Sequence, residues 1–349
     1  MTALARHRLL WPGAVLALLL LANVAFTPGF LSIEMKDGHL YGSLIDIVRF
    51  GAPLILVAIG MTLVIATGGI DLSVGSVVAI SGALACLRIS ELPDQDGVGG
   101  VLAAVGLALA LAVALGAWNG FLVAAVGIQP IIATLIIMVA GRGLAQLITD
   151  GQIITVNSDP YKLIGGGYWL TLPFGILIVL AVLAATAFLT RRLALGLLIE
   201  SIGGNATASR LAGIRSRGLT VAVYAFCALC AGIAGLMISS NVSSADGNNA
   251  GLWIELDAIL AVVIGGTSLM GGRFSLAGTV LGALIIQTLT TTIYSVGVPP
   301  ETTLLFKALV VTAVCLAQSP SFREKAFRRR GRRGPAAPAA TDEKVEVAA

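Results

Sequence analysis

Charge is scarce in this chain. Lys and Arg number 22 and Asp and Glu 18 in 349 residues, 11% together, against 57% hydrophobic residues. A soluble globular domain is about 25% charged, so this composition excludes one. Histidine is nearly absent. His7 and His39 both stand outside the apolar runs, which excludes a histidine proton relay inside them. The lysines are Lys36, Lys162, Lys307, Lys325 and Lys344, and none follows the glycines of a GxxxxGK[ST] loop. The chain therefore has no phosphate-cradling loop of its own. No G-x-S-x-G string occurs, which removes that serine-nucleophile signature as well. The four cysteines, Cys86, Cys227, Cys230 and Cys315, all lie in apolar runs. Cys227 and Cys230 share a helix face, but no further ligand completes a metal site, and packing explains them. The residues imply no cofactor.

What is present is a series of apolar runs near the 20 residues that a helix needs to cross a bilayer. The ten-residue alternating segments of a membrane β-barrel are missing. The expected architecture is all-α and polytopic, with about ten spans: 9–27, 44–67, 74–90, 101–126, 130–148, 169–189, 219–240, 256–270, 277–296 and 302–318. The runs at 74–90 and 256–270 are the shortest. Basic residues stay on the cytoplasmic side of a membrane. With both termini cytoplasmic, the inward segments hold Arg6, Arg8, Arg191, Arg192, Arg210, Arg215, Arg217, Arg273 and the arginines from Arg323 to Arg333. The outward segments hold Glu34, Asp37, Glu91, Asp94, Asp96, Asp150, Asp159, Asp246 and Glu301, against Lys36 and Lys162. An odd number of spans would break this sorting. The net charge of +4 thus reports topology and a basic tail facing anionic lipid, not a nucleic-acid partner. The first run reads as a retained helix and not a cleaved signal peptide. Residues 1–320 form the membrane domain, and 321–349 read as a disordered cytoplasmic tail.

Two stretches interrupt the apolar pattern: GGIDLSVGS at 68–76 and IGGTSLMGGRFSLAG at 264–278. Backbone that leaves the helix inside hydrocarbon is tolerated only where protein buries it or water lines it. Gly68, Gly69 and Gly75 permit such a break, as do Gly265, Gly266, Gly271 and Gly272. Asp71 costs about 2.5–3.5 kcal/mol in lipid even on the mild scale, so it faces a cavity, a helix N-terminus or a partner. Asp71 or Ser73 suits the N-cap of a helix from Val74. Aligning residues 68–72 with 265–269 pairs double glycine with double glycine, a pattern that points to a transport pathway between two halves. Close helix packing through small residues is the plainer explanation for any one glycine.

Other polar groups in the spans have quieter readings. Asp46 and Arg49, three residues apart, pair with each other. Arg142 lies about six residues from the outer end of its span, near enough to reach outward. Asn119, Gln146 and Gln287 either hydrogen-bond between helices or line a pathway, whose candidate residues are Asp71, Ser73, Asn119 and Gln287. Glu255 and Asp257 read as interfacial.

The longest charged inward loop runs over 190–218. Its middle, NATASRLAG, offers Asn205 as an N-cap, a short helix, and Gly213 as its stop. Leu211 and Ile214 give one turn of apolar face. So short a helix is not stable alone. It makes sense as a plug for a groove on a soluble partner, the alternative being an interfacial helix that lies on the membrane.

These strings resemble the permease subunits of bacterial ATP-binding-cassette sugar importers of the ribose/xylose/galactose type. The resemblance rests on TGGIDLSVGSVVAISGA (67–83), WNGFLVAAVGIQPIIATL (118–135) and RGLAQLITDGQ (142–152). It continues through IGGNATASRLAGI (202–214) and DAILAVVIGGTSLMGGRFSLAGTVLGALI (257–285). ADGNNAGLWIELDAILAVVIGG and ALGLLIESIGG look most like the galactofuranose-importer permease. The resemblance implies a dimer of permeases, identical or sister, in the bacterial inner membrane. Two ATPase subunits dock on it, and a periplasmic sugar-binding protein delivers a monosaccharide. It also implies that Gly203, Gly204, Asn205, Arg210, Leu211 and Gly213 couple the chain to the ATPase. Two departures stand out. The usual Gly-Arg of that loop is Gly196-Leu197, and a common proline pair is Gln129-Pro130. The alternative is a proton-coupled secondary transporter with Asp71 as its titrating group.

Overall fold

The computed structural model describes residues 3–26, 29–36, 38–295 and 297, together with 302, 304, 305, 307–309, 311 and 312. Much of the expected span at 302–318, and all of the tail at 321–349, lie outside the described residues.

Twelve helices run along the described chain: α1 (Ala3–Phe26), α2 (Ser43–Ala66), α3 (Val74–Ser90), α4 (Val98–Phe121), α5 (Pro130–Ile148), α6 (Asp159–Lys162), α7 (Phe174–Arg191), α8 (Leu195–Gly204), α9 (Ala206–Leu211), α10 (Ser216–Asn241), α11 (Ile254–Ile264) and α12 (Leu276–Ser295). A π-helical turn, Leu122–Val126, extends α4. Among the described residues, seven segments are long and apolar enough to cross a membrane. They are Leu9–Phe26, Ser43–Ala66, Val98–Val126, Pro130–Ile148, Phe174–Arg191, Ser216–Asn241 and Leu276–Ser295. Each coincides, within a few residues, with an expected span. At 169–189 the start moves: β4 (Tyr168–Trp169) and β5 (Leu172–Pro173) form a hairpin, and helix begins at Phe174.

Two expected spans are short. α3 has 17 residues, ~26 Å at 1.5 Å per residue, against a hydrocarbon core of about 30 Å. The run at 256–270 is not one helix. α11 has 11 residues, ~16 Å, and ends where Gly265 and Gly266 turn the chain. It reaches about half-way across.

α2 is the centre of the bundle: 78% of its apolar window is buried, against 11% for that of α1. A helix apolar all round is buried when neighbours surround it, and α2 is packed by α10, α11 and α12. α4 lies against α10 at close range because Gly116 and Gly120 put bare backbone against Tyr224, Ala225 and Val221.

Short ribbons gather at one end. β1 (Glu34–Lys36) pairs with β2 (His39–Tyr41), and β3 (Ile153–Thr155) with β6 (Ser244–Asp246), both antiparallel. The Leu40 amide donates to the Thr171 carbonyl (3.0 Å), and the His39 ring stacks on Tyr168 at 4.5 Å. The amides of Asn157 and Asp159 donate to the side chains of Gln95 and Asp96. These are the segments read as outward from their acidic residues. Arg49 also belongs here. It donates to Asn241 Oδ1 (3.1 Å), the Gly166 carbonyl (3.3 Å) and the Tyr168 hydroxyl (3.3 Å), and not to Asp46 as its spacing suggested.

Candidate functional site

The opposite end holds both interruptions, and they share one backbone device. After α2 the Gly68 amide donates to Ile65 and the Gly69 amide to Val64, with Gly68 at φ +84°. After α11 the Gly266 amide donates to Val263 and the Thr267 amide to Val262, with Gly266 at φ +85°. Both are glycine-terminated helix ends of the Schellman kind. The matching residues are Gly68 and Gly266, so the sequence alignment that paired Gly68 with Gly265 is one residue out of register.

Behind the first break lies a buried polar cluster. Asp71, Ser73 and Asn119 are all buried. Asp71 Oδ1 accepts from the Ser73 amide (2.9 Å) and the Ser73 hydroxyl (2.6 Å). The Ser73 oxygen in turn accepts from Asn119 Nδ2 at 2.8 Å. Asp71 thus closes a local Asx-type turn. Ser73 occupies the N-cap position of α3, but its side chain makes no cap bond. Thr134 of α5 pins the same stretch, accepting from the Leu72 amide at 3.1 Å. Asp71 Oδ2, Asn119 Oδ1 and the buried Tyr224 hydroxyl have no hydrogen-bond partner among the described residues. Tyr224 was not legible as a member, yet its hydroxyl lies where a Gly69 side chain would stand. Gln287 is elsewhere. It packs on Gly51 between α12 and α2, and its Nε2 reaches Thr291 at 3.5 Å.

The 190–218 loop comes to these breaks. Asn205 Oδ1 accepts from the Ala208 amide (2.9 Å) and caps α9, which stops at Gly213 with φ +84°. Leu211 is 87% exposed. Gly203, near the end of α8, touches the backbone of Ala66 and Gly272, and the Gly272 amide donates to the Ala66 carbonyl at 2.9 Å. Gly271 packs against both Gly68 and Gly203. Three chain segments (the end of α2, the 265–275 loop and α8) therefore meet backbone to backbone. Gly204, its neighbour, has open space around it. A cavity of about 300 Å³ lies beside this junction, lined by Gly68, Gly69, Pro130, Ile202, Arg210 and Tyr224 among others.

A second polar site lies further along α5. Arg142 does not reach outward. Its guanidinium turns to backbone, donating to the Ala250 carbonyl (2.7 Å) and more loosely to Gly247 and Gly75. Glu255, read as interfacial, is buried, and its Oε2 lies against Gly75. Asp257 is ion-paired with Lys307 at 2.5 Å. In the turn above, burial alone would raise the Asp246 carboxyl. Hydrogen bonds from Asn249 and the amides of Asn248 and Asn249, with Arg142 nearby, hold it below its ordinary range.

Comparison with known proteins places the chain among membrane permeases. Residues 43–315 match the family described as branched-chain amino acid transport system / permease component. The galactofuranose transporter permease protein YtfT of Escherichia coli (strain K12) is 48% identical over 329 residues, covering 92% of this chain and 94% of the relative. The fructose import permease protein FruF of Bifidobacterium longum is 40% identical, covering 89% and 88%. The ribose import permease protein RbsC of Haemophilus influenzae is 37% identical, covering 86% and 90%. No solved structure gives a significant match. Helices of membrane-crossing length, two glycine-terminated breaks and a helix, α8, tied to both and leading into a short capped one are thus the frame of a permease component, and it is to this family that the chain belongs.

Proposed function

We propose that the chain is the membrane-spanning permease subunit of an ATP-binding-cassette importer, carrying a monosaccharide of the galactofuranose or ribose kind across the bacterial inner membrane. Its relatives are named for galactofuranose, fructose and ribose, while the family description speaks of amino acids. The sugar reading follows these relatives. A neutral solute also agrees with the few charges in the spans.

The observation that carries the mechanism is the Gly203 junction. A helix of six residues with an 87% exposed leucine gains little within its own chain. As a plug in a separate ATPase subunit it gains a partner for that leucine. When ATP closes the motor dimer, α8 and α9 move with it. Gly203 passes the displacement to Ala66 and Gly272, and so to both helix breaks at once. Two permeases, identical or sister, then rock between outward- and inward-open states around a weak sugar site. Affinity resides in the periplasmic binding protein that delivers the sugar. The cavity beside Arg210 and Tyr224 forms the inner mouth. Termini and arginine-bearing loops face the cytoplasm.

Uptake of labelled D-galactose, D-ribose and L-leucine by vesicles carrying the complete importer tests this reading. Sugar accumulation that requires ATP supports it. Accumulation of leucine alone overturns the substrate class.

A further inference from the structure

Resting on the reading just given, we propose that a pocket between α5 and the start of α11 is a monosaccharide subsite on the translocation path. Its key residues are Arg142, Gln146, Trp253 and Glu255. The pocket measures about 440 Å³, also touching Ser76 and Val139, a size suited to small ligands.

Two polar residues set this stretch of α5 apart from its apolar surroundings. Apart from Thr134, Arg142 and Gln146, the helix α5 is built of apolar residues, glycine and its initial proline. Ile132, Leu135, Ile136, Val139 and Leu147 are exposed along it. An arginine and a glutamine one turn apart on such a helix, opening into a pocket with a glutamate, are costly against lipid. They are stable beside a hydrated path. Gly75, Gly251 and Arg142 all meet here, which brings the 247–251 turn down beside the first turn of α3. α11, half a membrane long, starts from the pocket floor.

Three features point to a polyhydroxylated ligand. Glu255 is 3% exposed, and its Oε2, packed against Gly75, has no hydrogen-bond partner among the described residues, so a hydroxyl that displaces this contact finds an unpaired acceptor. The Arg142 guanidinium is oriented by carbonyls from two directions, with N–H groups to spare for hydroxyl oxygens. Trp253 offers a half-exposed indole whose flat apolar face suits the C–H face of a sugar ring. Its backbone is held at φ +66°, the left-handed region that a bulky residue avoids. Strain of this kind collects at functional sites. Arg142 and Glu255 offset each other, so the pocket as a whole suits a neutral ligand.

The test uses the complete importer in proteoliposomes with labelled D-galactose and D-ribose as probes. Trp253→Leu and Glu255→Gln are each expected to lower the sugar moved per ATP hydrolysed roughly tenfold, the effect of one lost contact to a charged or aromatic group. A purely structural defect would lower ATP hydrolysis and transport together. The Gln146 side chain is exposed and makes no hydrogen bond among the described residues, so Gln146→Cys keeps the test open if those variants fail to assemble. The introduced thiol is expected to react with a charged, water-borne thiol reagent, and D-galactose or D-ribose is expected to slow that reaction during turnover. An unreactive thiol at position 146, or wild-type coupling in both other variants, overturns the subsite. Failure of the unmodified importer to move either sugar overturns the underlying function instead.

Discussion

Replacing Gly203 by alanine puts the largest strain on the proposed transmission route with the smallest chemical change. A Cβ there would stand 2.5 Å from the Gly272 nitrogen and nearer still to the Ala66 carbonyl oxygen. Carbon contacts settle at ~3.5–4.0 Å, so the segments must part by at least ~1 Å. Parting breaks the 2.9 Å bond from the Gly272 amide to Ala66, worth ~0.5–1.5 kcal/mol. Overpacking adds ~1–3 kcal/mol. A junction weakened by roughly 1.5–4.5 kcal/mol opens at least ~10-fold more often. Hydrogen exchange over 265–275 should therefore accelerate by that factor, while sugar moved per ATP falls. Gly204→Ala is the internal control. It adds the same methyl group one residue on, where nothing lies within 4 Å. If the two variants exchange and transport alike, α8 does not grip the helix breaks and the transmission route is wrong.

Other perturbations separate the remaining parts. Gly204→Trp and Leu211→Asp alter only exposed surface, so each should leave the permease folded in the membrane but abolish copurification of an ATPase. Asp71→Asn keeps an Oδ1 for the two Ser73 bonds but removes a charge buried without a cation among the described residues, and should change thermal stability in detergent by less than ~1.5 kcal/mol while slowing transport. Asp71→Leu removes both bonds and should fail to accumulate. Asp246→Ala frees the amides of Asn248 and Asn249, and should loosen the 247–251 turn that holds Arg142, seen as faster hydrogen exchange there. The low-lying Asp246 carboxyl makes the same turn pH-sensitive in one direction. Its bonds persist at neutral pH and are lost only as acid protonates the carboxylate below its ordinary range.

Local rules carried much of the fold. Apolar run length located the seven long helices, and capping chemistry located α9 from Asn205 and Gly213. Of the pathway candidates Asp71, Ser73, Asn119 and Gln287, hydrogen bonds join the first three, while Gln287 packs on Gly51 away from them. Where the reading slipped, the deciding contact lies far along the chain. A doublet of glycines draws the alignment to Gly265, but only the residue at positive φ marks the helix end, and that is Gly266. Arg142 is near enough to the helix end to reach outward, yet the carbonyls of a re-entrant turn more than a hundred residues on hold it. Glu255 looked interfacial by its place at the head of a short run. Nothing local announces that α11 starts inside the bundle. Gly203 has no periodic signature, since its role is to leave room for a backbone from elsewhere.

The central claim is that this chain moves sugar only when another protein's ATPase drives it. Uptake of labelled D-galactose and D-ribose by liposomes holding the purified chain alone, with and without a pH gradient, tests that most directly. The account predicts no accumulation under either condition, and ATP-dependent accumulation once the ATPase and binding protein are added. Accumulation driven by the pH gradient with this chain alone, and lost in Asp71→Asn, would contradict it and make Asp71 a proton carrier.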